Sequence, residues 1–175
     1  MMKSIRKSYQ RIAIAMMMLA ACHQTASQQD ELALWDLKRE KNVQGTDMQL
    51  SYMPACEKKA AAGQGGVTGA EELGFRLRVM PPKDQDHAPV TMHTNVDTLF
   101  NVVVGKDTIT PLFAQQIANG NIGGTEYLVV FDRAQLKQDT ACTFLFRDWL
   151  FTNTHLSFRF NLTNTKKLDA KSCSI

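Results

Sequence analysis

The clearest periodic signal in this chain is the alternation of apolar and polar side chains, the period-2 pattern of a half-buried strand. Leu156, Phe158, Phe160 and Leu162 alternate with His155, Ser157, Arg159 and Asn161. Leu73, Phe75, Leu77 and Val79 alternate with Gly74, Arg76, Arg78 and Met80 until Pro81 and Pro82 stop the run. Met48, Leu50 and Tyr52 alternate in the same way with Gln49, Ser51 and Met53, and further strands are expected over 98–104, 108–113, 126–132 and 141–147. Gly105-Lys106-Asp107 reads as a tight hairpin, residues 60–69 and 119–124 as loops, and residues 133–137 as one helical turn. Seven short antiparallel strands, without a long amphipathic helix to serve parallel crossovers, predict an all-β antiparallel sandwich of immunoglobulin-like type over residues 46–175.

The N-terminus follows a different rule. Residues 1–11 carry Lys3, Arg6, Lys7 and Arg11, residues 12–21 are an uncharged run from Ile12 to Ala21, and Cys22 follows. A basic start, a ten-residue apolar stretch and small residues before a cut site make a secretory signal, too short to span a bilayer as a stable helix. Residues 22–45 are expected to be a tether, within which 31–41 reads either as a short amphipathic helix or as an extended linker. Trp35 is expected to pack on the domain, and the alternative has it touching lipid headgroups or a partner.

Leu19-Ala20-Ala21-Cys22 resembles the lipobox of bacterial lipoproteins. The resemblance covers residues 1–22. It implies a diacylglyceryl thioether on Cys22, cleavage before it, and an acyl chain such as palmitate on the new amine. Two or three chains, at about 0.8 kcal/mol per buried methylene, anchor a protein stably where one does not. His23 stands where an inner-membrane retention aspartate would, so the resemblance points to an outer-membrane lipoprotein facing the periplasm or the cell surface. Gln28-Gln29-Asp30-Glu31 is similar to the acidic stretch that sends lipoproteins of Bacteroidota outward, and the β-rich part resembles small uncharacterised lipoproteins of that group.

Charge is informative once the leader is set aside. The whole chain has 20 Lys and Arg against 17 Asp and Glu, but four of the cations lie in residues 1–21 with no acid, leaving 16 against 17. Without a basic surplus the remaining chain has no general electrostatic reason to bind nucleic acid.

Candidate chemistry is sparse. Besides Cys22 the chain has Cys56, Cys142 and Cys173, so at most one internal disulfide forms. Three pairings can be drawn; Cys56 with Cys173 is preferred because both lie outside strand cores, whereas Cys142 opens an apolar strand and reads as a buried thiol. Asp84, Asp86, His87 and His93 are the one cluster of hard ligands, in a loop without the helix of a zinc protease or the glycine and terminal glutamate of a calcium loop. They read as a solvated loop, with a metal site as the competing view, and His155 reads as the outward neighbour of Leu156. Gly63 to Gly69 lacks the Lys-Ser or Lys-Thr of a phosphate loop, and no Gly-x-Ser-x-Gly elbow or Ser-x-x-Lys is present. The sequence therefore leans away from an enzyme and names no cofactor. Asp97-Thr98-Leu99, Asp107-Thr108-Ile109 and Asp139-Thr140-Ala141 each resemble the Asp-Thr-apolar sequon of O-glycosylation in Bacteroidota, which implies glycan on Thr98, Thr108 or Thr140.

The expectation is a lipid-anchored envelope protein whose sandwich binds or scaffolds an envelope protein or a glycan through residues 60–69, 81–88 and 119–124. The alternatives are an envelope enzyme or metal-binding protein using Asp84, Asp86, His87 and His93, and an accessory subunit of a secretion or surface complex. Radiolabelled palmitate should enter the polypeptide and fractionation should recover it with membranes. An unlabelled, soluble product removes the lipoprotein expectation.

Overall fold

The alternating strands supply two apolar faces, and the structure joins them. The computed structural model describes residues 30–54, 72–82, 95–117, 124–136 and 139–172. Two compact units divide the chain at residue 35. In the first, the described part is a helical turn over 30–34, closed by the Trp35 N–H donating to the Glu31 carbonyl at 3.0 Å.

The described residues of the second unit form nine strands: β1 (Lys38–Val43), β2 (Thr46–Met53), β3 (Glu72–Met80), β4 (Phe100–Val104), β5 (Asp107–Ile109), β6 (Phe113–Ile117), β7 (Thr125–Asp132), β8 (Ala141–Asp148) and β9 (Thr154–Asn161). They form a five-stranded sheet, β1-β2-β3-β7-β6, and a four-stranded sheet, β5-β4-β8-β9. Every pairing is antiparallel. The expected antiparallel sandwich is what forms.

The core lies where the two inner faces meet. Phe75 of β3 reaches across to Phe144 of β8 at 5.1 Å and to Phe160 of β9 at 4.9 Å between ring centroids. Phe131 meets Phe144 edge-on at 6.0 Å, and Tyr127 of β7 meets Phe100 of β4 at 5.7 Å. These tilted and edge-on geometries let ring edges face ring faces, worth about 0.5–1.5 kcal/mol per pair beyond buried area. The alternation predicts the inward set well: Leu50, Leu73, Phe75, Leu77, Val79 and Phe160 are all fully buried.

Four differences from the sequence expectation have physical causes. Residues 38–43 are a sandwich strand, so the domain begins before residue 46 and this part of 22–45 is no tether. The inward positions of β1 include Arg39 and Lys41, whose charges lie 5.3 Å from the Phe160 centroid and 5.1 Å from the Phe158 centroid. Apolar stems under charged ends cover the core rim and leave no hydrophobic alternation to read.

The single strand expected over 108–113 is two strands in different sheets, because Pro111 interrupts the run and the chain crosses from β5 to β6 there. The start of the strand expected over 98–104 is a 3-10 turn, Val96–Leu99, which Asn95 enters with a left-handed φ of 65°.

Leu162 does not end a strand but begins an α-helix, Leu162–Ser172. Asn161 caps it, its Oδ1 accepting the Thr163 N–H at 2.8 Å, and Leu162, Thr165 and Leu168 form its buried stripe. The helix is tied down by Asp169, which pairs with Arg133 at 2.8 Å and accepts the Tyr52 hydroxyl at 2.7 Å.

Hairpin geometry matches the residues available. Gly105 takes φ 58° in the two-residue β4–β5 turn, as expected from the sequence, and Gln44-Gly45 closes β1–β2 with φ 52° and 80°. The 3-10 helix Arg133–Leu136 corresponds to the helical turn expected after β7. Replacing Phe75 with Ala should destabilise the protein by about 3–5 kcal/mol in chemical denaturation, through lost transfer energy and a residual cavity. A loss under 1 kcal/mol would mean that the sheets do not meet at this ring.

Candidate functional site

One hairpin combines rigidity with an exposed aromatic side chain. β8 ends at Asp148 and β9 begins at Thr154, and the turn between them reads Trp149-Leu150-Phe151-Thr152-Asn153. Asp148 is completely buried, and its carboxylate organises this turn. One oxygen accepts the N–H groups of Leu150 at 3.2 Å and Phe151 at 2.9 Å; the other accepts the Thr152 N–H at 2.9 Å and its hydroxyl at 2.6 Å. Hydrogen bonds to an ionised acceptor are roughly twice as strong as neutral ones, so a desolvated carboxylate is stable here because its lone pairs are occupied. Thr152 shares a further hydroxyl contact of 2.7 Å with Thr154, and Asn153 takes the left-handed φ of 52° that brings the chain back into β9.

Beneath the turn, burial and then the negative charge of Asp148 push the Tyr127 hydroxyl up to about 12, so it stays protonated at neutral pH. On the other side Trp149 is 57% exposed. Its indole stands edge-on to His155, 5.3 Å between centroids and 86° between planes. His155 is the register partner of Arg147, so the indole sits at the rim of the outer face of the four-stranded sheet. That face carries Arg147, His155, Ser157 and Arg159, all exposed. The acids on its strands are Asp107, at the β4–β5 turn, and Asp148, turned inward under the hairpin.

Two other polar groupings bond mainly within themselves. Tyr52, Arg133 and Asp169 bond one another and fasten the C-terminal helix. A shallow depression of about 390 Å³ on the outer face near the β1–β2 turn is lined by Glu40, Asn42, Asp47, Gln49 and Met80, among others. Gln49 donates to Glu40 at 2.7 Å, Asn42 donates to Asp47 at 2.6 Å, and Lys38 pairs with Glu40 at 2.8 Å, holding its carboxyl below the usual range. Among the described residues of this unit the other exposed large apolar side chains are Leu112, just before the edge strand β6, and Phe113, its first residue.

Most residues singled out in the sequence lie outside the described part of the chain. These are Cys22, Cys56 and Cys173, the cluster Asp84, Asp86, His87 and His93, and nearly all of the three expected contact loops. Among the described residues no group of three or more His, Cys, Asp or Glu is placed to hold a metal ion, and no helix is long and apolar enough to cross a membrane. Cys142 is a buried free thiol that burial pushes up to about 12, which keeps it protonated and unreactive. Thr98, Thr108 and Thr140 are all exposed, and the Thr98 hydroxyl donates to the Asn95 carbonyl at 2.9 Å.

The Trp149 hairpin was not among the contact loops expected from the sequence. Its signal was present as three bulky apolar residues, Trp149, Leu150 and Phe151, between two strands with no residues left over for another element. The chain matches no protein-family profile, no curated protein and no solved structure. Replacing Asp148 with Asn removes one acceptor set and should cost about 1–3 kcal/mol. In a background with Trp35 replaced by Phe, the anisotropy of Trp149 emission should fall; unchanged anisotropy would show that the carboxylate does not hold the turn.

Proposed function

We propose that this chain is a lipid-anchored protein of the bacterial cell envelope whose sandwich acts as a binding module, with the Trp149 hairpin as its contact loop. The observation that carries the binding role is an exposed indole on a turn held by a fully buried carboxylate. A protein gains little stability from a solvent-facing tryptophan on a rigid turn, whereas a partner gains a large contact surface already ordered. The anchoring part of the reading rests on the resemblance of Leu19-Ala20-Ala21-Cys22 to a lipobox, with Cys22 as the acylated residue and the outer membrane as the destination.

The strand order supports an immunoglobulin-like description of the sandwich. β2-β3-β7-β6 facing β5-β4-β8-β9 follows the order A-B-E-D facing C′-C-F-G, with β1 as an added edge. In that correspondence the Trp149 hairpin is the F–G loop, one of the loops with which variable domains recognise partners.

The test uses the full chain in its own cells, comparing wild type with Trp149→Ala. The variant should remain in the membrane fraction and keep its stability within about 0.5 kcal/mol, as expected for a surface substitution. It should also lose the cross-linked or glycan-retained species that the wild type forms at the cell envelope. If those species persist unchanged, the hairpin is not the contact loop; recovery of both forms in the soluble fraction removes the anchor.

A further inference from the structure

We infer that the ligand of this module is an acidic polysaccharide, a chain of carboxylated sugars laid across the outer face of β8 and β9. The inference rests on the binding reading above and names the chemistry that the face selects. Its first support is charge. Arg147 and Arg159 are exposed, and neither guanidinium has an ion-pair partner among the described residues, while the strands of this sheet place no acid on the outer face beside them. Four other cations of the domain are ion-paired: Arg39 with Asp36, Lys38 with Glu40, Arg76 with Glu126 and Arg133 with Asp169. An unmatched guanidinium fork suits a planar carboxylate better than a point charge does.

The second support is spacing. His155, Ser157 and Arg159 follow one another on the outer side of β9, so the ends of this row are about 13 Å apart at the rise of a strand. Arg147 lies across from His155, and Thr143 across from Arg159. Such a face spreads its cations along the strand direction. It fits an extended ligand that repeats its negative charge.

The third support is the mixture of surfaces. Trp149 gives a broad apolar ring at one end, where the apolar face of a sugar ring can stack, and the hydroxyls of Ser157, between the cations, and of Thr143, beside Arg159, can donate to or accept from sugar hydroxyls. A nucleic acid is the poorer match, because single strands are held by successive aromatic platforms and this face has one indole.

The full-length chain in detergent micelles is run by affinity electrophoresis through gels containing polygalacturonate, fully methyl-esterified polygalacturonate, polyglutamate or no polymer. Polygalacturonate should retard the wild type, and esterification, which removes the charge but keeps the sugar, should abolish the effect. Arg147→Gln with Arg159→Gln should weaken retardation on the order of tenfold or more, as expected for losing charge-assisted hydrogen bonds, with salt acting in the same direction. Lys166→Gln with Lys167→Gln, an equal charge change on the exposed side of the C-terminal helix, should leave it intact.

Absence of retardation, equal retardation by polyglutamate or by the ester, or equal loss in the Lys166 and Lys167 variant each overturns the inference. Sedimentation with phosphatidylglycerol vesicles that requires Arg147 and Arg159, without retention by polygalacturonate, assigns the face to a lipid surface and also overturns it. A Trp149-dependent envelope contact that survives any of these results leaves the binding role standing and removes only the acidic sugar.

Discussion

Phe75 meets rings from both sheets, and the packing of the sandwich converges on that point. It sits in β3, the strand flanked by β2 and β7, and contacts Phe144 and Phe160 from the opposite sheet as well as Tyr52 and Phe131 from its own. A sheet pair held mainly by aliphatic contacts tolerates sliding, because methyl groups interdigitate in many registers. Rings of this size constrain it more tightly, since a shift of one residue would turn every inward ring to the solvent side. The register of β3 against β7, with Phe75 opposite Val129 and Leu77 opposite Tyr127, therefore also fixes the face on which each outward residue appears.

Edge protection follows from the same arrangement. Lys41 lies inward over Phe158, and Arg39 over Phe160 while donating from its Nε to the Arg159 carbonyl at 3.0 Å. A carbonyl on the free edge of β9 is thus occupied by a cation from β1. β5 is three residues long, too short to template an added strand. These are the devices by which antiparallel sandwiches keep edges from pairing with other chains: inward charges, capped carbonyls and short edges.

What could be read in the sequence follows this physics closely. The strands at β2, β3 and β9 were legible because apolar inward positions alternate with mostly polar outward ones, whereas β7 and β8, with Leu128, Val130 and Leu145 facing outward, were legible as short runs rich in β-branched and aromatic residues. β1 was not, because two of its inward positions hold Arg39, half-buried, and Lys41, exposed, whose charged ends read as polar in hydropathy. The split of 108–113 was hidden because Ile109 and Leu112-Phe113 read as one apolar-rich run, although Pro111 within it marks where the backbone changes sheet. The C-terminal helix was hidden by its polarity: Leu162 and Leu168 are its buried apolar positions, and its anchor, the meeting of Tyr52, Arg133 and Asp169, joins residues from three separate parts of the chain. Of the candidate site, Arg147, His155 and Arg159 were legible as outward residues of two strands. That Trp149 stands beside His155 depends on the Asp148 turn, which no local spacing announces.

Asp148 connects the core to the surface chemistry. Its carboxylate sits at the inward end of β8, in the same alternation that places Phe144 and Phe146, so the position expected to hold an apolar side chain holds an acid. An apolar residue there would pack adequately but could not bind the N–H groups of Leu150, Phe151 and Thr152, and the turn would have to find other partners or open to water. Occupying those donors from below fixes the backbone from above, and the conformational entropy of the turn is lost on folding rather than on binding. The indole of Trp149 therefore stands with its backbone already ordered and His155 against its edge. An extended partner meeting the Arg147, His155 and Arg159 row would encounter a surface whose aromatic end does not have to be organised at the moment of contact, which is the condition under which one exposed ring can contribute most of its area to affinity.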